Sequence, residues 1–142
     1  MADPVLHTGS CRCGIVQFAV SAEPFQVSYC HCTDCRKATG APVSAFVGFA
    51  SDQVAIEGDT LTVFENGPVK RSFCGKCGSP IAYMDDRLEN QTYFMLGAMD
   101  APADFEPTLH AYVSEQLAFL HMSDDLPRHL KSSVKRPDGT VQ

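Results

Sequence analysis

A chain of 142 residues that is 44% apolar, with nine Phe and no Trp, can bury one domain core of its own, and a second full domain is not expected. Eleven Lys and Arg against 17 Asp and Glu leave a formal charge of −6, which argues against nucleic-acid binding by phosphate neutralisation. No apolar run approaches the ~18 residues of a membrane span, and the opening MADPVLHTGS lacks the basic-then-apolar form of a secretory signal, so no membrane partner and a cytoplasmic location are expected.

The first ten residues are polar and turn-rich and are expected to reach the fold only near Cys11. Ile15 to Val20 has the β-branched and aromatic content of a strand, and Phe25 to Tyr29 alternates with period two and delivers the chain to Cys30. A short helical turn is predicted between Thr33 and Thr39, closed by Gly40. Val43 to Phe49, Val54 to Glu57, Leu61 to Phe64 and Val69 to Phe73 come next as short strands. Between them stand the turn formers Ser51-Asp52, Gly58-Asp59 and Asn66-Gly67-Pro68. Pro80 to Tyr83, Thr92 to Leu96 and Leu109 to Val113 complete the strands, with Asp85 to Gln91 as a solvated loop. Ser114 to Met122 fits a short helix, a strand or an irregular segment, and Asp124-Asp125-Leu126-Pro127 ends it. Evenly spaced short strands favour an antiparallel barrel or sandwich.

Seven cysteines cannot pair off internally as disulfides, and in a reducing compartment they read as metal ligands. They fall in three clusters: Cys11-Arg12-Cys13-Gly14, Cys30-His31-Cys32-Thr33-Asp34-Cys35, and Cys74-Gly75-Lys76-Cys77-Gly78. Cys-x-x-Cys-Gly is a knuckle: a tight turn brings two sulfurs to one ion while turn amides point at them. Seven ligands divide as four plus three. Cys30, Cys32 and Cys35 can wrap one ion from a single loop, which leaves Cys11, Cys13, Cys74 and Cys77 as a closed, structural set. Three readings of the trio stay open on spacing alone: a structural zinc completed by His31, His7, His110, His121 or His129; a zinc with one position open; or a redox dithiol at Cys32 and Cys35.

Six basic residues, Arg12, Arg36, Lys37, Lys70, Arg71 and Lys76, flank the cysteines and offset thiolate charge. Arg36 and Lys37 beside an open metal are also candidate contacts for a substrate carboxylate, against the plainer reading of basic residues on solvent-facing loops. Asp34 reads as a cap for the adjoining helical turn, His110 as a strand histidine that is either structural or catalytic, and Asp85-Asp86 as a solvated turn. Phe46, Phe49, Phe64, Phe73, Tyr83, Phe94 and Phe119 are assigned to the core.

Gly9 to Val16, Cys30 to Lys37 with Gly40-Ala41-Pro42, Phe73 to Pro80 and the late Asp124-Asp125-Leu126-Pro127 together resemble the glutathione-dependent formaldehyde-activating enzyme family, which includes the centromere protein V domain. The resemblance runs from Gly9 to Pro127. It implies a mainly β, zinc-stabilised, Mss4-like β-tent of small antiparallel sheets over residues 9–131, with tails at 1–8 and 132–142. It also implies a structural zinc on Cys11, Cys13, Cys74 and Cys77 and a second, labile and open zinc on Cys30, Cys32 and Cys35, where a thiol such as glutathione arrives. The implied activity is a carbon–sulfur lyase of the S-(hydroxymethyl)glutathione synthase type, joining the thiol to formaldehyde. Phe119 stands where many members of the family carry Trp. The competing expectations are a zinc-stabilised binding or chaperone-like module and a zinc-sensing or zinc-buffering protein.

Overall fold

The computed structural model describes residues 3–134, and among them the chain is mainly β. A three-stranded sheet runs in the order β1 (His7–Ser10), β2 (Gln17–Val20), β5 (Val54–Glu57), all antiparallel. A seven-stranded sheet runs β10 (Leu109–Ala111), β3 (Gln26–Cys30), β4 (Ser44–Ala50), β9 (Gln91–Met95), β8 (Pro80–Asp85), β7 (Val69–Cys74), β6 (Leu61–Asn66). Its pairings are antiparallel except that β10 lies parallel to β3, with Ala111 opposite Cys30. One helix, α1 (Thr33–Thr39), follows β3.

Strand alternation turns this sheet into a wall between two apolar clusters. Successive side chains of a strand face opposite ways. On β4, Val47 and Phe49 therefore enter a cluster with Val16, Phe18 and Ile81, while Phe46 enters a second with Leu88, Tyr93 and Ala111. On β9, Phe94 and Tyr93 divide in the same manner. Cys11 and Cys74 belong to the first cluster and Cys30, Cys32 and Cys35 to the second, so the sulfur sets lie in different packing environments.

The two sheets meet where the rings of Phe18 on β2 and Phe94 on β9 stack at 3.9 Å between centroids. Gly9 lies directly across β1–β2 from Phe18. A methyl group on Gly9 would lie 2.1 Å from Cζ of the Phe18 ring and 2.5 Å from the Ala98 carbonyl oxygen. The segment expected to reach the fold only near Cys11 is thus a strand from His7 onward, hydrogen-bonded to β2, and a small residue at position 9 is its condition of entry.

Other expectations are corrected by burial. Phe64 and Phe119 are 62% and 74% exposed and are not core. Asp85 is buried rather than solvated, accepting hydrogen bonds from the Tyr83 hydroxyl and from the Arg87 backbone and guanidinium. Ser114 to Met122 is irregular after a single 3-10 turn at Val113–Glu115.

Replacing Gly9 with Ala should lower stability by about 1–3 kcal/mol, the cost of overpacking a filled core. Thermal or urea unfolding of the Gly9→Ala protein checks this, and an unchanged midpoint would show that β1 shifts without penalty.

Candidate metal centres and the cavity beside the second

Two loops build the first thiol set. After β1, the Gly14 amide donates to the Cys11 carbonyl at 3.1 Å and Gly14 takes φ 85°; after β7, the Gly78 amide donates to the Cys74 carbonyl at 2.8 Å and Gly78 takes φ 79°. A side chain at either glycine would strain a left-handed turn. Each turn aims a backbone N–H at a sulfur: Val16 to Cys11 Sγ at 3.3 Å and Cys77 to Cys74 Sγ at 3.4 Å. The Arg12 amide donates to Ser79 Oγ at 2.9 Å and ties the loops together. Cys11, Cys13, Cys74 and Cys77 thereby converge with every sulfur within 4.8 Å of the others. The Cys74 thiol is lowered by its contact with the Thr60 hydroxyl and by turn amides, and that of Cys77 falls to about 5 through hydrogen bonds from the Ser79 side chain and backbone.

The second set comes from one loop. Strand β3 ends at Cys30, and Cys32 is the N-cap of α1, its sulfur accepting the Cys35 amide at 3.1 Å. Gly40, at φ 75°, closes the helix with its amide on the Arg36 carbonyl at 2.7 Å. The helix matches the predicted span, but a cysteine caps it instead of Asp34. Cys30, Cys32 and Cys35 are all buried and converge within 4.8 Å, and no histidine joins them among the described residues.

Both sets fit a tetrahedral thiolate centre. A zinc with Zn–S bonds of about 2.3 Å holds its sulfurs about 3.8 Å apart. The closest pairs here are 3.5 Å for Cys11–Cys13, 3.8 Å for Cys13–Cys74 and 3.6 Å for Cys30–Cys35. Thiol donors alone select a soft or borderline metal over calcium or magnesium. The two groups can each hold a metal ion, one with four protein donors and one with three.

The histidines placed nearest the trio by sequence have other partners. His31 is fully buried, with Nε2 2.8 Å from His110 Nδ1, and His110 Nε2 lies 3.0 Å from the Asp124 carboxylate. A carboxylate only accepts, so His110 carries its proton on Nε2 and takes the His31 Nε2 proton at Nδ1. His31 Nδ1 is left buried without a hydrogen-bond partner. Burial, with the neighbouring His110 ring, pushes the His31 pKa down. His7 packs against Phe105 and Phe49. Sequence marked Asp124 as punctuation and as part of the family resemblance, and nothing in it links that residue to position 110.

Arg71 is the cation at the trio. Its Nη2 lies 3.6 Å from Cys35 Sγ and 2.7 Å from Asp34 Oδ2, and its guanidinium sits 4.9 Å over the Tyr83 ring. Hydrogen bonds from the Cys30 and Cys32 thiols, with Arg71 beside it, hold Cys35 well below an ordinary thiol despite its burial. Cys30 is driven the other way by the same thiol contacts and by burial. Arg36 is engaged elsewhere, donating to the backbone carbonyls of His31 and Glu115 and to Thr33 Oγ1, and Lys37 borders a separate cleft with Phe64 and Val69.

A cavity of about 80 Å³ opens on the trio. Phe46, Tyr83, Leu88 and Tyr93 form its apolar walls, and Gln26 and Ser133, joined by a 3.0 Å hydrogen bond, border it. Tyr112 lines it with a backbone φ of 58°, a left-handed conformation unusual outside glycine. Buried Asp85 fixes the Tyr83 wall through the phenol.

The fold and the site define a mainly β protein whose cysteines form two compact sets competent to bind metal. Residues 6–115 match the family described as glutathione-dependent formaldehyde-activating enzyme, and the chain belongs to that family. It is 28% identical over 106 residues to a Halomonas elongata protein bearing the provisional name glutathione-dependent formaldehyde-activating enzyme, the match covering 68% of each chain. A crystal structure of a Rhodobacter sphaeroides protein shares the fold, with a TM-score of 0.55 at 18% identity over 85% of this chain and 98% of that one.

Two outcomes test the site. An Arg71→Met protein should bind its second equivalent of Co²⁺ about ten- to a hundredfold more weakly, as loss of a group bonded to a ligand typically does, with the first equivalent unchanged. Competition against a chromophoric chelator measures both. For Asp85, burial alone would raise the pKa, but the Arg87 and Tyr83 hydrogen bonds outweigh it and hold the carboxyl at about 2. A carboxyl depressed in the folded state stabilises above its ordinary value of 3.8, and that contribution is lost as pH falls from about 4 to about 2. Asp85→Asn should remove about 2 kcal/mol of stability at pH 7 and flatten the unfolding curve over that acid window. Parallel acid limbs for the two proteins would sink this assignment.

Proposed function

We propose that the chain is a zinc-dependent carbon–sulfur lyase of the S-(hydroxymethyl)glutathione synthase type, reversibly joining a small thiol to an aldehyde. The carrying observation is the asymmetry of the two thiol sets: four sulfurs that complete a tetrahedron, and three buried sulfurs, with no fourth protein donor among the described residues, that face a cavity. In this reading Cys11, Cys13, Cys74 and Cys77 hold the structural zinc, and Cys30, Cys32 and Cys35 hold the one at which thiol and aldehyde meet. Zinc there supplies Lewis acidity, favouring the thiolate of an incoming thiol and polarising a carbonyl.

Addition is balanced without a redox partner. The thiol sulfur forms a bond to the carbonyl carbon, the C=O π pair moves to oxygen, and the thiol proton ends on that oxygen. The reverse reaction breaks the C–S bond and returns the proton to sulfur. The chain's own residues hold the site: Arg71 neutralises charge at Cys35, and the aromatic side chains of Phe46, Tyr83 and Tyr93 wall the cavity in which the reactants would meet. Family membership supports glutathione as the leading thiol and formaldehyde as the leading aldehyde. We place the fold with the Mss4-like β-tents and the protein in the cytoplasm on the same footing.

Protein loaded with two zinc equivalents should accelerate exchange between thiol, aldehyde and hemithioacetal, followed by NMR line shapes across a panel of thiols with formaldehyde. Cys35→Ser should retain one zinc and its folded spectrum while losing at least about a hundredfold in rate, since a catalytic metal's ligand is removed. Fully loaded wild-type protein inert across the panel would return the chain to the binding-module reading.

A further inference from the structure

The turn that carries the trio is held from behind. Cys30 and Cys32 line the cavity, while His31 between them is fully buried on the other side, as alternate residues of an extended segment are. Three parts of His31 are gripped there. Its backbone amide donates to the Ala111 carbonyl at 3.0 Å, its carbonyl accepts from the Arg36 guanidinium, and its Nε2 lies 2.8 Å from His110 Nδ1. The two imidazoles are within 20° of parallel with centroids 5.1 Å apart, and His110 also stacks on Tyr29 at 4.9 Å.

His110 is held in turn. Its amide donates to the Pro127 carbonyl at 2.8 Å, and its carbonyl accepts from the His129 amide at 2.7 Å, so β10 lies between β3 and residues 127–129. His110 Nε2 is 3.0 Å from both oxygens of Asp124. Asp124 accepts the Leu126 amide at 3.0 Å and pairs with Arg128 at 3.2 Å, and Arg128 also donates to the carbonyls of Met122, Asp124 and Leu126. The carboxylate therefore stands in a braced turn. Because it can only accept, both imidazoles donate toward it, and the chain of hydrogen bonds has one direction.

Packing alone does not call for this arrangement. Apolar side chains of similar volume fill such a space at least as well, since buried polar groups gain little net stability when paired and lose much when not. Hydrogen bonds add direction: they fix the rotation of the His31 ring, and with it the backbone that spaces Cys30 from Cys32. Ligand atoms need placement to within about 0.5 Å. We infer that Asp124 is a positioning residue for the second thiol set: through His110 and His31 it holds the Cys30–Cys32 turn in the shape that brings three sulfurs together. The inference rests on the proposed metal-binding role of the trio and holds whichever thiol and aldehyde meet there. It gives the Asp124 turn, a strand removed from the sulfurs, a part in assembling the site.

Co²⁺ titration of the full chain tests it, read by chelator competition and by the ligand-field spectrum of each equivalent, with Cys35→Ser marking which equivalent belongs to the trio. Asp124→Asn keeps the side chain's shape and removes its charge. It should weaken the trio's equivalent at least about threefold and shift its spectrum, because charge-assisted hydrogen bonds are roughly twice as strong as neutral ones. The four-sulfur equivalent should not change. His110→Phe, which breaks the chain, should weaken the trio's equivalent about tenfold, the low end for groups behind a ligand. Adding Asp124→Asn to His110→Phe should have no further effect, a coupling that independent contributions to stability would not show. Val20→Ala, which opens a cavity in the other apolar cluster, should lower the unfolding midpoint and leave both equivalents unchanged. Wild-type affinity and spectrum in Asp124→Asn overturn the inference, even where His110→Phe fails to fold. An equal weakening in Val20→Ala, or additive effects in the double variant, also overturn it, because general packing would then be the cause. Wild-type protein that takes up a single Co²⁺ overturns the trio's metal-binding role and the inference together.

Discussion

Crowded sulfur is the constraint around which this molecule is organised. Thiols 61 positions apart, Cys13 and Cys74, approach to 3.8 Å, and three more are buried together in a second set. Thiolates at that spacing repel, and neutral thiols are weak hydrogen-bonding groups that offer little reason to converge. A metal ion would supply the missing attraction, and the loops turn backbone amides toward the sulfurs, which also favours thiolate charge there. The Gly14 and Gly78 turns and the Cys32 cap are three local solutions to one electrostatic problem.

The two sets solve it with different surroundings. Cys13 and Cys77 are exposed, so water and the Ser79 hydroxyl share the stabilisation of charge, and the four-sulfur set behaves as a clasp between the β1–β2 turn and the end of β7. All three cysteines of the trio are buried, where water cannot help, and the molecule supplies Arg71 instead. That guanidinium is held from three sides, by Asp34, Cys35 and the Tyr83 face, so the charge at the trio, the position of α1 and the cavity wall are set by one residue on β7.

The strands were legible because their apolar runs end in turn formers, and most begin or end within a residue or two of expectation: Ser44–Ala50 against Val43 to Phe49, and Val54–Glu57 without change. The partition of the cysteines was legible because spacing and ligand counting are local. Features that depend on pairing at a distance did not show in sequence. His7–Ser10 is a strand because Gly9 leaves room for Phe18, a fact about a neighbouring strand. The parallel β10–β3 pair brings His110 to His31, and only that register makes Asp124 the end of a buried chain. Arg71 was visible as one of six basic residues near cysteines, but its selection over Arg36 comes from the contact of β7 with Asp34 and Cys35 on α1. Phe64 was misassigned because β6 is the sheet's edge and leaves that ring in solvent.

The division of labour between faces derives from the same wall. Because β4 and β9 send alternate residues to opposite sides, the cluster around Phe49 and Phe94 can be packed for stability while Phe46 and Tyr93 shape a cavity. The backbone is common to both, so a metal held at Cys11, Cys13, Cys74 and Cys77 would anchor the end of the strand that carries Arg71 without touching the cavity side. With a metal bound, the four-sulfur set on one face would hold the frame for the three-sulfur set on the other. The trio's own loop need not keep the cavity open by itself, since the strands that bound it are anchored elsewhere.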